Sequence, residues 1–167
     1  MSLGFAELSI GDSVEIKGPV GHFIWKGKGI VEVHGRERRI REIGMVCGGS
    51  GVTPILQVLR GILRDTSHCD IKIWVLDVNR YLGDILCRDD LHQPVKEHGE
   101  RYRLHHTLTG VPAPDGWEYS TGRLNTEMIR SHLPSPAKDG IVCVCGPPGM
   151  EQATKSESYS LSTTEII

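Results

Sequence analysis

Residues 43–64 constrain the fold more than any other part of the chain. A short apolar segment, residues 43–47, meets the loop Gly48-Gly49-Ser50-Gly51-Val52. Thr53-Pro54 follows, and then Ile55, Leu56, Val58, Leu59, Ile62 and Leu63 recur at spacings of three and four. The segment suits a buried strand and the spacing suits a helix with one buried face. Thr53 is expected to cap that helix, and Pro54 to take its first position, where a missing N–H costs nothing.

The alternation continues downstream, which is the pattern of a parallel sheet wrapped by helices. Residues 71–76 (IKIWVL) predict a strand, and residues 84–98 a helix with Ile85, Leu86 and Leu91 inward. Residues 101–108 alternate as a third strand, 124–133 form a short helix closed by Pro134, and 141–145 form a fourth strand ending on Gly146-Pro147-Pro148. Right-handed crossovers turn this βαβαβαβ order into an α/β fold with a doubly wound parallel sheet. Its ligand crevice lies at the carboxyl ends of the strands, where the winding reverses. Upstream, residues 12–33 carry short alternating stretches (Val14, Ile16; Phe23, Trp25) between glycines and read as the last strands of a β domain. Beyond Met150 the chain is Ser- and Thr-rich and is expected to fray after one helical turn. The expected divisions are therefore residues 1–40, 41–152 and 153–167.

Composition narrows the function. With 19 Lys+Arg against 21 Asp+Glu the net charge is -2, and 20 Gly with 9 Pro place much of the 167-residue chain in turns, against a coiled coil or a collagen-like array. No apolar run is long enough for a membrane span, no signal peptide opens the chain, and a soluble cytoplasmic protein is expected. The five cysteines form no CxxC, and no HxH or HxxxH pair occurs, so reduced thiols and no metal site are expected. Residues 23–64 hold eight Lys/Arg against three Asp/Glu, a basic run ahead of the glycine loop that suits a phosphate-bearing ligand. Dense Lys/Arg with interleaved aromatics is lacking, so nucleic-acid binding is not expected.

The loop Gly48-Gly49-Ser50-Gly51 hands a strand to a helix, and its glycines let backbone N–H groups approach a pyrophosphate at the positive helix end. The same glycines would also serve tight packing alone. The loop is neither GxGxxG nor GxxxxGK[ST], which sets aside the generic dinucleotide fingerprint and a P-loop kinase or GTPase. Cys145-Gly146-Pro147-Pro148-Gly149-Met150 ends the last strand at the same sheet edge, so two glycine-bearing loops could hold a flat cofactor between them. Cys145 at a strand end would offer its thiol to that space, or act as a small apolar filler like Cys143. Asn79-Arg80 follows the second strand where an adenosine would lie; Arg80 could pair with a ribose phosphate or be an exposed turn residue. Asp77 is left unassigned. His105 and His106, adjacent on one strand, point to opposite faces.

IKGPVGHF (16–23), CGGSGVTPILQVL (47–59), VNRYLGDILCRDDL (78–91), TLTG with GWEYSTGR (107–123) and VCGPPGM (144–150) together resemble the C-terminal reductase module of eukaryotic assimilatory nitrate reductases. That module belongs to the cytochrome b5 reductase branch of the ferredoxin–NADP reductase superfamily. LHHTLTG and GWEYSTGR point to its fungal members. The resemblance runs from Met1 to about Gln152 and implies a flavin-binding β-barrel followed by the nucleotide-binding α/β domain read above.

The resemblance also implies chemistry: hydride passes from NADPH or NADH to FAD, and electrons then go through a haem domain to a molybdenum centre that reduces nitrate. It implies that Gly48, Gly49, Ser50, Gly51, Thr53 and Pro54 lie under the pyrophosphate. Cys145 would lie against the nicotinamide, with Gly146, Pro147, Pro148 and Met150 completing that wall. Met1-Ser2 falls on the end of a flavin-pyrophosphate motif. Relatives that prefer NADH carry an acid at the position of Thr109; here Thr109 is neutral and Ser120 and Arg123 are available to a 2′-phosphate, so NADPH is expected to be used. The family's Arg-x-Tyr-Ser/Thr strand that grips FAD is absent, so the flavin is expected to be held largely by a domain outside this chain. The expected partners are the FAD, haem and molybdenum domains of one enzyme, which could form a homodimer. The alternatives are a non-catalytic nucleotide-binding fragment and a free-standing cytochrome b5 reductase-like enzyme.

Overall fold

A computed structural model of the chain describes residues 4, 6–18, 21–66, 70–110, 112–159 and 165–166. Three antiparallel strands come first, β1 (Phe23–Gly27), β2 (Ile30–Val33) and β3 (Arg36–Arg39). The remaining elements are β4 (Glu42–Cys47), α1 (Val52–Arg64), β5 (Lys72–Asn79), α2 (Arg88–Glu97), β6 (Tyr102–Leu108), β7 (Ser120–Thr121), α3 (Thr126–His132), β8 (Gly140–Cys145), α4 (Pro148–Tyr159) and β9 (Glu165–Ile166). The last six strands form one sheet in the order β7-β6-β5-β4-β8-β9, every neighbouring pair parallel. This is the doubly wound α/β sheet expected from the sequence, with two-residue strands added at both edges.

Side-chain alternation divides the interior into two layers. Ile43, Met45 and Cys47 of β4, Ile73 and Val75 of β5, Tyr102 of β6 and Ile141 and Cys143 of β8 face Ile55, Leu59 and Ile62 of α1 and Leu91 of α2. On the opposite face Val46, Trp74, Leu76 and Val142 meet Ile129, Leu133 and Met150. Burying a side chain such as Leu59 contributes about 1.5–3 kcal/mol. Val31 and Val33 of β2 join the first layer, and Trp25 of β1 packs beside Gly61, so the antiparallel strands rest on α1.

Several sequence expectations need correction. The helix expected over 84–98 begins at Arg88, because Cys87 takes a left-handed conformation (φ 52°) that a helix cannot continue through; Leu86 is consequently exposed rather than inward. The strand expected to end at Leu76 runs on to Asn79, with Asp77 meeting His106 on the neighbouring strand and Asn79 bonding to Asp77 within its own. Val14 and Ile16 belong to no strand among the described residues and are exposed, since alternation makes a strand only where another strand pairs with it. Thr53 does not cap α1: the residue before the helix is Gly51, and Thr53 Oγ1 instead donates to the Ser50 carbonyl at 2.9 Å. Pro54 is the third helical residue, still within the first turn where no N–H is required.

Nor does the chain fray one turn past Met150. Helix α4 continues to Tyr159, helped by buried Thr154, whose hydroxyl donates to the Met150 carbonyl at 2.9 Å, and β9 pairs with Ile141 and Val142. Residues 160–164 and 167 of the expected tail lie outside the described residues.

Candidate functional site

The winding reverses between β4 and β8, whose last residues, Cys47 and Cys145, are direct neighbours in register. Both strands then enter glycine-bearing turns at one sheet edge, and the two turns interlock through their backbones. Gly48 N–H donates to the Cys145 carbonyl at 3.2 Å, and Gly51 N–H to the Gly48 carbonyl at 3.1 Å. A Cβ at Gly51 would strike the Cys145 carbonyl, one at Gly48 would lie 2.8 Å from the Val78 carbonyl oxygen, and one at Gly146 would lie 2.5 Å from Met150 Cε. These three glycines therefore serve close packing. Gly49 differs: its φ is +55°, open space lies beside its Cα, and it faces the cleft above the turns.

That cleft has a volume of about 780 Å³, the size of a small-molecule or cofactor site. Of the residues singled out from sequence it gathers Gly49, Asn79, Arg80, Thr109, Arg123, Pro147 and Met150. The end of β5 is tied to the end of β6 by Thr109 N–H to the Asn79 carbonyl and Gly110 N–H to the Arg80 carbonyl, both 2.8 Å. The Arg80 guanidinium sits 5.2 Å from the centroid of the Tyr81 ring, a cation–π contact that steadies an otherwise exposed side chain. Arg80 and Arg123 give the cleft two cationic forks suited to a phosphate. Asp84, Leu124 and Ala153 also line it and were not singled out from sequence.

Other expected site residues are not among those that line this cleft. Ser50 and Thr53 are exposed at the start of α1, Pro54 is exposed within its first turn, and Pro148 opens α4. Cys145 is half-buried at the end of β8 and packs against the core layer that holds Cys47 and Cys143. Ser120 lies on β7 with its hydroxyl 2.8 Å from His105 Nε2. Met1 and Ser2 lie outside the described residues. Cys47, Cys87, Cys143 and Cys145 are free thiols.

Sequence reasoning passed over a buried polar row beneath the cleft. Cys47, Asp77 and His106 are register neighbours on β4, β5 and β6. Cys47 Sγ lies 3.4 Å from Asp77 Oδ1, His106 Nδ1 lies 2.9 Å from Asp77 Oδ2, and Asn79 Nδ2 donates to the same Oδ2 at 2.8 Å. Burial, and then the Asp77 carboxylate, push the Cys47 thiol well up, so it stays protonated and donates. An acid inside the apolar run IKIWVLDVN is the signal that could have marked this row.

His105, on the other face of β6, stacks on His132 of α3 with ring centroids 3.4 Å apart. Burial, then His132 and His106, push His105 down to about 4; burial lowers His132 as well, and burial followed by His106 lowers His92. Each imidazole is therefore protonated at higher pH in the unfolded chain than in the folded one. Stability present above pH 6.5 should be lost as pH falls toward about 4. We expect the melting temperature to drop between pH 7 and pH 5, and His105→Gln to flatten that drop. A wild-type melting temperature that is level over this range would refute the assignment.

Residues 45–156 match the family described as "Oxidoreductase NAD-binding domain". The chain is 44% identical to "Nitrate reductase [NADPH]" of Leptosphaeria maculans, covering 93% of this chain and 17% of that protein. It is 38% identical to "NADH-cytochrome b5 reductase 3" of Rattus norvegicus, covering 91% of this chain and 52% of that protein. The crystal structure of the cytochrome b5 reductase domain of Ulva prolifera nitrate reductase matches with a TM-score of 0.89 and 32% identity, covering 99% of this chain and 64% of that one. The chain thus spans about a sixth of the first relative and about half of the second. The cleft at the strand crossover, the interlocked glycine turns and these likenesses agree with one another: the chain belongs to the oxidoreductase NAD-binding domain family, with the fold of the cytochrome b5 reductase domain of nitrate reductase.

Proposed function

We propose that this chain is the nucleotide-binding part of an NAD(P)H-dependent reductase module that serves nitrate reduction. The observation that carries the reading is the 780 Å³ cleft at the β4/β8 crossover, lined by Gly49, Asn79, Arg80 and Arg123. Pyridine nucleotides fit it on chemical grounds. Gly49, with open space beside its Cα, lets a pyrophosphate approach the turn closely, two guanidinium groups offer forks to phosphate oxygens, and Leu124, Pro147 and Met150 offer apolar surface to a ring. Neutral Thr109 leaves room for a 2′-phosphate, so NADPH is used. Cys145, one residue from the cleft-lining turn, positions the nicotinamide rather than exchanging protons, because hydride transfer depends on alignment and on exclusion of water. FAD, held chiefly by a separate barrel, would supply the conversion of a two-electron hydride into single electrons. In a whole enzyme of this kind, haem and molybdenum domains would take the electrons on to nitrate, and that enzyme would be cytoplasmic and could form a homodimer. Residues 1–40 complete the flavin domain and residues 41–152 form the nucleotide domain.

Calorimetric titration of the chain with NADP+ and NAD+ tests this. Binding of NADP+ is the expected result, and Thr109→Asp should shift the NADP+/NAD+ affinity ratio toward NAD+ by about tenfold through repulsion of the 2′-phosphate. An unchanged ratio would remove the role of Thr109; absence of any nucleotide binding would remove the reading. The likeness to the rat NADH-cytochrome b5 reductase supports a second reading, a reductase that hands electrons to a separate haem protein. A complete module that reduces cytochrome b5 added in solution, and no nitrate, would favour it.

A further inference from the structure

The buried row under the cleft is continuous from the surface of α2 to the nucleotide turn. His92 Nε2 on α2 lies 3.0 Å from His106 Nε2, His106 Nδ1 meets Asp77 Oδ2, Asn79 Nδ2 meets the same oxygen, and Asn79 Oδ1 accepts the Gly49 N–H at 3.2 Å. Asp77 and His106 are each 1% exposed, and Asn79 is 5% exposed. A carboxylate this deep is tolerated only with a full set of donors, and Asp77 has them from three strands: Cys47 on β4, Asn79 on its own strand and His106 on β6. His106 donates through Nδ1 to the acid, which leaves Nε2 to share a single proton with His92.

The orientation of the Asn79 amide follows from the acid. With Nδ2 donating to Asp77, Oδ1 must face the other way, toward Gly49. The flipped amide would set its carbonyl oxygen against a carboxylate oxygen and its NH2 against an N–H, losing both bonds. Gly49 is the turn residue that faces the cleft, with a left-handed backbone and open space beside its Cα, so the N–H to Oδ1 bond is what ties it to β5. Asp77 touches no part of the cleft, whereas Asn79 and Gly49 both line it.

We propose that Asp77, paired with His106, is a positioning residue for the nucleotide: it fixes the Asn79 amide, and Asn79 in turn sets the Gly49 backbone against which the pyrophosphate rests. This rests on the reading of the cleft as a pyridine-nucleotide site. The acid exchanges no proton with substrate; it acts only through Asn79.

The test uses the chain with NADP+ as probe in calorimetry, and amide hydrogen exchange of the nucleotide-free chain as a readout independent of the ligand. Asp77→Asn keeps an oxygen able to accept from both Asn79 Nδ2 and His106 Nδ1, and should hold NADP+ affinity within about twofold of wild type and keep the Gly49 amide protected. Asp77→Leu combined with His106→Leu removes the acid together with its imidazole partner, so neither of the two is left buried without the other, and Asn79 is released. That double variant should weaken NADP+ binding about tenfold and speed exchange at Gly49. In an Asn79→Ala background the same double change should have no further effect on affinity, since its route of action is already gone. Equal weakening in both backgrounds, or a Gly49 amide whose exchange is the same in all variants, overturns the proposal. Wild-type chain that fails to bind NADP+ while Gly49 exchange still responds to the double variant would sink the nucleotide reading and leave the Asp77 to Gly49 linkage standing.

Discussion

Gly51→Ala should destabilise the chain by about 3 kcal/mol, the upper end of the cost of overpacking a well-packed site. The added methyl group would run into the carbonyl of Cys145, and neither neighbour is free to move. Cys145 is held at the end of β8 in register with Cys47, and Gly51 is the residue from which α1 departs. The obstacle is backbone on both sides, so rotamer changes cannot relieve it. Relief would have to come from parting the two turns, which breaks the Gly48 N–H bond to Cys145 and opens the floor of the cleft. Denaturant titration should show a lowered midpoint, and NADP+ affinity should fall by about tenfold or more in whatever fraction remains folded. Gly149→Ala is the control. Gly149 lies in the first turn of α4, where an added methyl group would have nothing within 4 Å, and alanine there should be neutral or stabilising by about 0.5–1 kcal/mol. Equal effects on stability at the two positions would refute the packing argument.

The parts of the fold that are legible in the sequence are those set by local pattern. Residues 43–47 are an uninterrupted apolar run, and the helix after them repeats its apolar residues every three or four positions, so strand, turn and helix follow from nearest-neighbour information. The crossover position follows in turn, because right-handed connections leave few ways to order four parallel strands. What stays hidden depends on partners distant in the chain. Asp77 interrupts an apolar run, which on local grounds ends a strand at Leu76; the strand continues because His106, 29 residues away, meets the carboxylate. Cys87 gives no sign in its residue type of the left-handed conformation that delays α2. The Ser/Thr-rich stretch after Met150 suggests fraying because its hydroxyls compete with the backbone. Thr154 is instead buried and spends its hydroxyl on a carbonyl of its own helix. For the site, the loop residues can be found because glycine and proline mark turns. Which of them face the cleft cannot, since Gly48, Gly51 and Gly146 look like Gly49 in sequence and differ from it in backbone conformation and in what stands beside their Cα atoms.

Removing both cleft arginines should separate the two nucleotides more than any other change. Arg80 and Arg123 come from the ends of different elements, one following β5 and the other preceding α3, yet both line the same cleft. A hydrogen bond from a guanidinium to a phosphate contributes about 1.5–3 kcal/mol, and the lower figure applies to exposed side chains such as these. Two such contacts at the lower figure amount to about 3 kcal/mol, roughly a hundredfold in affinity. We therefore expect Arg80→Ala combined with Arg123→Ala to weaken NADP+ binding about a hundredfold while NAD+, which lacks the 2′-phosphate, changes by less than about threefold. The loss for NADP+ should also shrink as salt is raised, because the contacts are exposed and screened. Calorimetric titration of both nucleotides at two ionic strengths reads all of this. Equal weakening of NADP+ and NAD+ would move these arginines from the 2′-phosphate to the pyrophosphate, which both nucleotides share, and would leave neutral Thr109 as the sole basis in this chain for the use of NADPH.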